Sequence, residues 1–300
     1  MRILIAGATG LIGTELVTQA LDAGIGVHYL TTRKEAIKKE EHYKGFLWDP
    51  SNGTIDKAAF KDVTAIVNLA GTSVSKRWTS QNKKKIMNSR IQTAELLYNT
   101  LQEIDHVVTH YISASGISIY PNSKTRLYSE EETAVDDSFL AKVVVAWEAA
   151  ADRFKELDLK VAKLRTGIVF DAEEGALPQL VKPLKLGFGA LLGSGKQWQS
   201  WIHIEDIAGI YLHIIKHGLE GVYNVASPNP LTHKRLMFCI AKIIDKNIWL
   251  PNIPSFFLKL VLGEMAVLVV EGQLVSSKKI EAAGYEFHFV NPQLALEDLL

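Results

Sequence analysis

Three glycines with the spacing G-x-x-G-x-x-G stand directly after the first apolar run of this chain. Residues 3–6 have the composition of a short buried strand, and Gly7, Gly10 and Gly13 lead from it into a helix predicted over 13–23. The first glycine permits a tight turn, the second lets backbone approach a pyrophosphate, and the third lets helix and strand pack closely. The helix N-terminus adds unpaired N–H groups and a partial positive charge. This context predicts a dinucleotide-binding loop inside a βαβ unit.

The rest of the first half alternates short apolar runs with longer amphipathic stretches. Strands are predicted at 27–30, 65–69, 107–113, 161–165 and 168–170, and helices at 80–103 and 139–157. Strands that alternate with helices imply parallel βαβ units, right-handed crossovers and ligands at the carboxyl ends of the strands. The sequence therefore predicts the α/β class, with a Rossmann-type doubly wound parallel sheet.

Beyond residue 170 the pattern loosens into a loop-rich region. A helix at 206–217 and a strand at 222–225 follow, and the remaining chain is mostly helical. We expect residues 1–170, with 204–227 returning to them, to form the dinucleotide-binding domain. We expect 171–203 and 228–300 to form a smaller, mostly helical C-terminal domain on the substrate side.

The residues after the second predicted strand select between cofactors. An acidic residue there would hydrogen-bond the ribose hydroxyls of NAD, whereas this chain has Thr32, Arg33 and Lys34. A guanidinium can bind a 2′-phosphate with two hydrogen bonds, and a carboxylate would repel it. We therefore predict NADP(H) in preference to NAD(H), with Thr32 and Arg33 at the cofactor. The alternative is that Arg33 and Lys34 belong to an ordinary solvated helix start.

Composition excludes several other classes of protein. In 300 residues, 33 Lys plus Arg balance 33 Asp plus Glu, so we expect no nucleic-acid partner. Cys239 is the single cysteine, which excludes an internal disulfide and a cysteine-based zinc cage, and we predict no metal site. The most apolar segment, 256–270, is too short and too charged to span a membrane, and the first residues do not have the pattern of a signal peptide. We expect a cytoplasmic protein that binds a small molecule.

Further motifs extend along nearly the whole chain. They are Asn68-Leu69-Ala70-Gly71, Arg77-Trp78, Ser89-Arg90, Ser113-Ala114-Ser115, Leu164-Arg165-Thr166-Gly167, Gly193-Ser194-Gly195-Lys196-Gln197-Trp198, Ser200-Trp201-Ile202-His203-Ile204 and Gly263-Glu264-Met265. With the glycine loop, they make the chain resemble the extended short-chain dehydrogenase/reductase superfamily, of the NAD(P)-dependent epimerase/dehydratase type. Within it, the chain is similar to the group called epimerase family proteins, in which the C-terminal segment forms a small domain of unassigned role.

The resemblance implies a set of cofactor-binding positions around the carboxyl ends of the strands. They are Gly7, Thr9, Gly10, Leu11, Ile12, Gly13, Thr32, Arg33, Asn68, Leu69, Ala70, Gly71, Arg90, Ser113 and Val143. Two alternatives stay open. The segment 68–71 can be a plain strand end, and Arg90 can be either a phosphate-neutralising group or an ordinary helix-surface arginine.

The acid/base pair of the superfamily is missing from this chain. A tyrosine and a lysine four residues later normally share one helix face, where the lysine lowers the tyrosine pKa. Here Phe139 and Val143 take those places, and Lys142 lies about 100° away around the helix. The superfamily's serine is retained, so we expect Ser115 to polarise a substrate oxygen. Tyr120 is the candidate substitute acid/base, and the alternative is a tyrosine that packs within its loop.

The substrate is expected to be small. Sugar-nucleotide epimerases of the superfamily carry a diphosphate-binding arginine where this chain has the stretch 198–201, which contains none. Trp78, Trp198 and Trp201 suggest a flat, partly apolar carbonyl or alcohol compound, although each can instead be a core residue. His203 and Asp206 are expected to make structural hydrogen bonds.

Three hypotheses of function follow. The first is an NADP(H)-dependent oxidoreductase or epimerase-like enzyme. The second is a catalytically degenerate NADPH-binding protein, a sensor or partner-binding module, which the loss of the tyrosine and lysine favours. The third is an assembly role for an apolar face at Phe256, Phe257, Leu260, Val261 and Leu262, residues that we expect instead to pack within the chain. Analogy with the superfamily alone suggests a homodimer.

Overall fold

The structure is a computed structural model that describes residues 1–300, and an eight-stranded sheet forms its centre. The strands, in chain order, are β1 (Arg2–Ala6), β2 (Gly26–Thr31), β3 (Tyr43–Asp49), β4 (Thr54–Ile55), β5 (Ala65–Asn68), β6 (His110–Gly116), β7 (Leu127–Tyr128), β8 (Lys160–Thr166), β9 (Ile168–Phe170), β10 (Trp198–Gln199), β11 (Trp201–His203), β12 (Gly221–Val225), β13 (Leu231–Thr232) and β14 (Leu274–Val275). The helices are α1 (Leu11–Asp22), α2 (Ser80–Glu103), α3 (Phe139–Asp152), α4 (Leu177–Lys185), α5 (Ile204–His217), α6 (His233–Ile243), α7 (Ser255–Leu262), α8 (Val267–Val270), α9 (Lys278–Ala282) and α10 (Pro292–Leu299).

The central sheet is doubly wound. Its spatial order is β12-β8-β6-β5-β1-β2-β3-β4, and every neighbouring pair is parallel except β3 with β4. The chain runs outward from β1 to β3, returns to β5 on the other side of β1, and then proceeds outward to β12. This reversal is a topological switch point, outside which ligands bind at the carboxyl ends of the strands. The predicted Rossmann-type fold is therefore confirmed.

Alternate side chains of the central strand face two separate helical layers. Ile3 and Ile5 pack with α1 and α5, whereas Leu4 and Ala6 pack with α2 and α3. All four side chains are fully buried, because helices cover both faces of a central parallel strand. The late elements α5 and β12 belong to this unit, since β12 pairs with β8 and α5 packs on α1.

Three elements depart from the sequence-based expectation. The apolar pattern does not predict β3, because Gly45 interrupts it; a Cβ there would lie 2.5 Å from Cζ of Tyr29, so a glycine is needed. The strand predicted at 107–113 begins instead at His110, where parallel pairing with β5 starts, and continues to Gly116. Helix α4 lies in a region predicted as loops and contains Pro183.

A second hydrophobic core lies beyond the sheet, among β9, α4, α6 and α10. Phe170 stacks on Trp201 within it, at a ring-centroid distance of 5.2 Å. Trp201 is fully buried, and its Nε1–H donates to the Asn229 carbonyl oxygen at 2.8 Å. Trp201 is therefore a core residue and not a substrate contact.

The Asp206 carboxylate ties the last part of the chain to the first turn of α5. Its oxygens accept the His288 N–H at 2.8 Å, the Phe289 N–H at 2.9 Å and the Tyr285 hydroxyl at 3.0 Å. Asp206 is fully buried, and the His203 ring caps the same helix through Nδ1. The structural hydrogen-bonding roles predicted for both residues are confirmed.

Four apolar side chains of α7, those of Phe256, Phe257, Leu260 and Val261, are exposed, whereas Leu262 is half-buried. Phe256 and Leu260 are 72% and 78% exposed, and Leu258 is the only buried residue of this helix. The expectation that these side chains pack within the chain is wrong, because an eight-residue helix that is apolar on nearly every side meets the body of the protein along one side only. No helix of the structure is both long enough and apolar enough to cross a membrane.

We predict that Asp206→Asn lowers the free energy of unfolding by about 3 kcal/mol. An amide accepts fewer hydrogen bonds than a carboxylate and would turn its own NH₂ group toward buried donors. The matched control is Asp105→Asn, an exposed position expected to stay within about 0.5 kcal/mol of the parent protein. Urea unfolding followed by circular dichroism measures both variants, and equal stabilities would contradict the anchoring role of Asp206.

Candidate functional site

The glycine loop brings the first turn of α1 against the end of β1. Gly7 has φ +90°, a left-handed conformation that favours glycine, and a Cβ on Gly13 would lie 2.1 Å from the Gly7 carbonyl oxygen. Gly10 caps α1 without a side chain, so the N–H groups of residues 11–13 have no acceptor within the chain. These donors, at the positive end of a 12-residue helix, can hold a pyrophosphate.

The predicted cofactor positions converge on one edge of the sheet. In the parallel register, Ala6 of β1 pairs with Leu30 of β2 on one side and with Asn68 of β5 on the other. Asn68 in turn pairs with Ser113 of β6. Because these strands are parallel neighbours, the segments that follow them leave the sheet at the same edge.

The segment after β5 lies directly against the glycine loop. A Cβ on Gly7 would lie 3.0 Å from the Leu69 carbonyl carbon and 3.1 Å from the Ala70 nitrogen. Leu69 and Ala70 are half-buried, as are Leu11 and Ile12 at the start of α1, whereas Thr9 is exposed. The structure thus brings the predicted positions of the two segments together around the α1 N-terminus.

The end of β2 presents two cations without carboxylate partners. Thr32, Arg33 and Lys34 are all exposed. The first ion pair further along the chain joins Lys38 to Glu40 at 3.8 Å, and neither Arg33 nor Lys34 takes part in any. Positive charge that no group of the chain neutralises therefore stands at the strand end next to the glycine loop.

Arg90 is buried, so the alternative of a helix-surface arginine is wrong. Its guanidinium lies 4.7 Å from the Trp147 ring, and Nη1 donates to the carbonyl oxygens of Thr72 at 3.1 Å and Ile86 at 2.9 Å. Burial lowers the pKa of Arg90 to about 10. Its Nε makes no hydrogen bond, and a Cβ on Gly71 would lie 3.1 Å from Cζ. Arg90 holds the segment that leaves β5 and adds an uncompensated charge beside it.

The side chains of Asn68 and Ser113 are engaged by internal partners. Asn68 is fully buried; its Nδ2 donates to the Tyr111 hydroxyl at 3.0 Å, and its Oδ1 accepts the Ala70 N–H at 3.2 Å. The buried Ser113 hydroxyl donates to the Ala114 carbonyl oxygen at 2.9 Å. A ligand at this edge would therefore meet the backbone of these residues and not their side chains.

The Ser115 hydroxyl, expected to face the substrate, donates instead to a buried carboxylate. It lies 2.6 Å from Oε1 of Glu148 on α3. Arg165 on β8 holds the same carboxylate twice, through Nε at 2.7 Å and Nη2 at 2.9 Å. Ser115, Glu148 and Arg165 are 5%, 8% and 7% exposed. Because this hydroxyl is committed to Glu148, it is not free to polarise a substrate oxygen.

Tyr120 extends the same buried network. Its hydroxyl accepts a hydrogen bond from Nη1 of Arg165 at 2.8 Å and donates to Oδ1 of Asn224 at 2.8 Å. Its ring is fully buried and stacks on Tyr128. Burial raises the pKa of Tyr120, although Arg165 opposes the shift. Tyr120 is therefore a tyrosine that packs within the protein, the alternative to the acid/base role. Its buried hydroxyl is not accessible to a substrate.

The first turn of α3 carries apolar side chains where the superfamily has its acid/base pair. Phe139 meets Trp78 edge-on, with ring centroids 5.1 Å apart. Val143 is buried one turn later, whereas Lys142 is exposed, which confirms that its ammonium points elsewhere. Trp198 is half-buried, with its Nε1–H donating to a backbone carbonyl oxygen at 2.9 Å.

Ser118 is a hydroxyl that the sequence reasoning missed. It lies in the short 3₁₀ turn Ile117–Ile119 just after β6, is half-buried, and makes no side-chain hydrogen bond within the chain. A Cβ on Gly116 would lie 3.5 Å from both Ser118 Oγ and Val144 Cγ2, so the hydroxyl stands beside α3. The only signal for it was its place three residues after the serine motif.

Comparison with known sequences supports the resemblance drawn from the motifs. The profile of the NAD dependent epimerase/dehydratase family matches residues 3–226, and that of a domain of unknown function (DUF1731) matches residues 253–299. The epimerase family protein YfhF of Bacillus subtilis (strain 168) is 32% identical over 100% of this chain and 98% of its own length. An epimerase family protein of Staphylococcus epidermidis is also 32% identical, over 100% of this chain and 99% of its own length.

Solved structures share the whole architecture. The human epimerase family protein SDR39U1, crystallised with NADPH, superimposes with a TM-score of 0.86 at 28% identity and covers 100% of this chain and 99% of its own. A UDP-glucuronic acid 4-epimerase from Bacillus cereus, in complex with UDP-glucuronic acid and NAD, gives 0.81 at 16% identity, over 100% of this chain and 98% of its own. The second likeness bears on the fold alone.

We predict that Tyr120→Phe lowers the free energy of unfolding by about 2 kcal/mol, because it leaves Nη1 of Arg165 and Oδ1 of Asn224 without the hydrogen-bond partner they have in the buried network. Tyr211→Phe is the matched control: Tyr211 is fully buried and its hydroxyl has no partner, so losing that hydroxyl should not destabilise the protein. Urea unfolding compares the two. A Tyr120→Phe variant as stable as Tyr211→Phe would contradict the structural role of the Tyr120 hydroxyl.

Proposed function

The chain belongs to the NAD dependent epimerase/dehydratase family, and from this premise we propose that it binds NADP(H) and acts as an oxidoreductase on a small carbonyl or alcohol compound. One observation carries the proposal. The free N–H groups at the start of α1 follow the end of β1, and the unpaired Arg33 follows the end of the neighbouring strand β2. The human relative SDR39U1, which has the same fold, was crystallised with NADPH.

The glycine loop fits the pyrophosphate of a dinucleotide. Gly7, Gly10 and Gly13 carry no side chain that would cover the backbone at the start of α1, and the free N–H groups there suit an anionic partner. Neither an acidic residue in the first turn nor a capping side chain competes for them. Arg90, buried without a carboxylate, raises the local positive potential from the β5 side.

The end of β2 fits a 2′-phosphate better than a bare ribose. A site for NAD would place a carboxylate at this position to accept the ribose hydroxyls, whereas this strand ends in Thr32 and Arg33. The Arg33 guanidinium is exposed and unpaired, so it can meet a phosphate without first breaking an internal ion pair. These features support NADP(H) over NAD(H).

NADPH, when bound, supplies a hydride, and the chain must then hold the substrate oxygen and deliver a proton. Ser118 takes the role first expected of Ser115, because its hydroxyl is unengaged and half-buried beside α3. Phe139 at the start of α3 and Trp78 before α2 add a pair of half-buried aromatic rings that suits a small, flat substrate. Phe139 stands at the tyrosine position and has no ionisable proton. Solvent therefore returns to Ser118 the proton that its hydroxyl gives to the substrate oxygen.

A second candidate function is NADPH binding without catalysis. One observation favours it: the two polar side chains first expected to act on the substrate, Ser115 and Tyr120, are both held in a buried network by Glu148 and Arg165. In that case the protein would act through a partner whose affinity differs between its NADP⁺ and NADPH forms.

The cofactor proposal predicts a selective loss on removing Arg33. Arg33→Ala should weaken NADPH binding at least about tenfold and leave NADH binding unchanged, because only NADPH carries the 2′-phosphate. Arg235→Ala, an exposed arginine on α6, is the matched control and should bind as the parent does. Titration followed by nucleotide fluorescence measures all three proteins. Failure of the parent protein to bind either nucleotide would refute the proposal.

The catalytic proposal predicts NADPH oxidation by a panel of small aldehydes and ketones. Ser118→Ala should then lower kcat about a hundredfold, the usual cost of removing one preorganised donor, with little change in NADPH affinity. Ser80→Ala, an exposed serine on the first turn of α2, is the control. Tight NADPH binding with no oxidation by any compound would favour the second candidate function.

A further inference from the structure

We propose that Lys83 is an anion-binding group of the substrate site, and that the substrate carries a carboxylate on a small apolar body. This inference rests on the proposed function, because it names the chemical class of compound that the same cleft would take. Three observations support the inference: the aromatic rings around Lys83, its ion pair with Glu264, and the positive charge of the chain between Asp62 and Glu95.

Lys83 stands at an aromatic corner in front of α3. Its Nζ lies 5.2 Å from the centroid of Phe139, the residue at the superfamily's tyrosine position, and Trp78 meets the same ring edge-on at 5.1 Å. The Lys83 side chain is 25% exposed, so its ammonium is partly desolvated yet reachable. A cation over one aromatic ring, which a second ring meets edge-on, suits a ligand with a flat apolar body and one negative group.

The present partner of Lys83 is a carboxylate from the C-terminal part of the chain. Glu264 belongs to the short turn Gly263–Ala266 after α7, and its carboxylate pairs with Nζ. The Glu264 side chain is 64% exposed and has no other hydrogen bond. The structure thus already shows the interaction that a substrate carboxylate would make, with Glu264 occupying its place.

Exchanging this partner costs little. An exposed ion pair between long side chains contributes roughly 0–1 kcal/mol, because solvent screens it and both side chains lose rotamer freedom. A ligand that also covers the rings of Phe139 and Trp78 gains apolar burial that the Glu264 side chain does not provide. A small aromatic carboxylate can therefore displace Glu264, whereas a neutral analogue cannot.

The charge distribution around the cleft favours an anionic ligand. Between Asp62 and Glu95 the chain has no acidic residue, although the whole sequence has equal numbers of each sign. The cations of this stretch are Lys76, Arg77, Lys83, Lys84, Lys85 and Arg90. Only Lys83 among them forms an ion pair. A run of one sign along the wall of a cleft concentrates ligands of the opposite sign.

The anion is expected to be small because the stretch 198–201 has no group that could grip a nucleotide diphosphate. The stretch 198–201 contains no arginine, and Gln199, Ser200 and Trp201 are 6%, 1% and 0% exposed. Gln199 and Ser200 use their side-chain donors on backbone carbonyl oxygens at 3.2 and 2.8 Å. Lys83, at the ring of Phe139, is then the cation proposed to hold the anionic group of the substrate.

The test uses benzoate as the probe and benzamide as its uncharged counterpart. Binding of each to the full chain is measured by isothermal titration calorimetry, with and without NADPH. We expect benzoate to bind and benzamide to bind at least about tenfold more weakly. Lys83→Met should weaken benzoate binding at least about tenfold. Lys84→Met, the exposed and unpaired neighbour about 100° around α2, should leave it unchanged.

Glu264→Gln gives the decisive arm, because a gain in affinity cannot come from misfolding. Removing the competing carboxylate should tighten benzoate binding about two- to fivefold, the fold-change expected from an exposed ion pair. The proposal is overturned if the parent does not bind benzoate, if Lys83→Met binds it as Lys84→Met does, or if Glu264→Gln does not bind it more tightly. NADPH titration of the same samples separates this outcome from a failure of the cofactor proposal.

Discussion

The rest of the structure depends on one close approach, that of α1 to the end of β1. Residue 13 has room for a hydrogen atom only, since a Cβ would lie 2.1 Å from the Gly7 carbonyl oxygen. This contact aims the free donors of α1 at the edge where β2 and β5 also end, because β1 lies between them in a parallel sheet. Without the close approach of Gly13 to Gly7, the free N–H groups of α1 would not face the edge where Arg33 and the backbone after β5 lie, and no phosphate-binding site would form there.

A second constraint is a buried charged network that engages the two polar side chains first expected to act on the substrate. The Glu148 carboxylate on α3 is held twice by Arg165 of β8 and once by Ser115 of β6, so helix and sheet are joined by a buried charged network. Removing Glu148 or Arg165 alone would leave the other charge buried without its partner, which is far more costly than keeping the pair. The network therefore fixes α3 and at the same time withdraws Ser115 and Tyr120 from the cleft. Of the polar side chains proposed to act on a substrate, the Ser118 hydroxyl is left without an internal partner, and Lys83 lies at the ring of Phe139, which stands at the tyrosine position of the superfamily.

The sequence predicts the dinucleotide-binding half well because its signals are local. The glycine spacing, the apolar run before it and the missing acid at Arg33 each need only a few neighbouring residues to be interpreted. The roles of Ser115 and Tyr120 could not be predicted in the same way, because they depend on Glu148, Arg165 and Asn224, which lie 33, 45 and 104 residues away along the chain. The exposure of α7 was missed for a related reason. A run of apolar residues predicts burial, but only the tertiary arrangement decides how many sides of a short helix find a partner.

The Lys83–Glu264 pair gives the C-terminal domain a physical connection to the cleft. It is the one ion pair between a lysine or arginine of the sheet-containing part and an acidic residue of the segment from α7 to α8. A carboxylate that takes Lys83 must release Glu264, so ligand binding and the attachment of this segment draw on the same ammonium. By linkage, the factor by which a bound ligand weakens the Lys83–Glu264 pairing equals the factor by which that pairing weakens ligand binding. The exposed side chains of Phe256 and Leu260 lie on the same segment. The stretch that matches the domain of unknown function therefore carries both the partner of Lys83 and the exposed apolar side chains of α7.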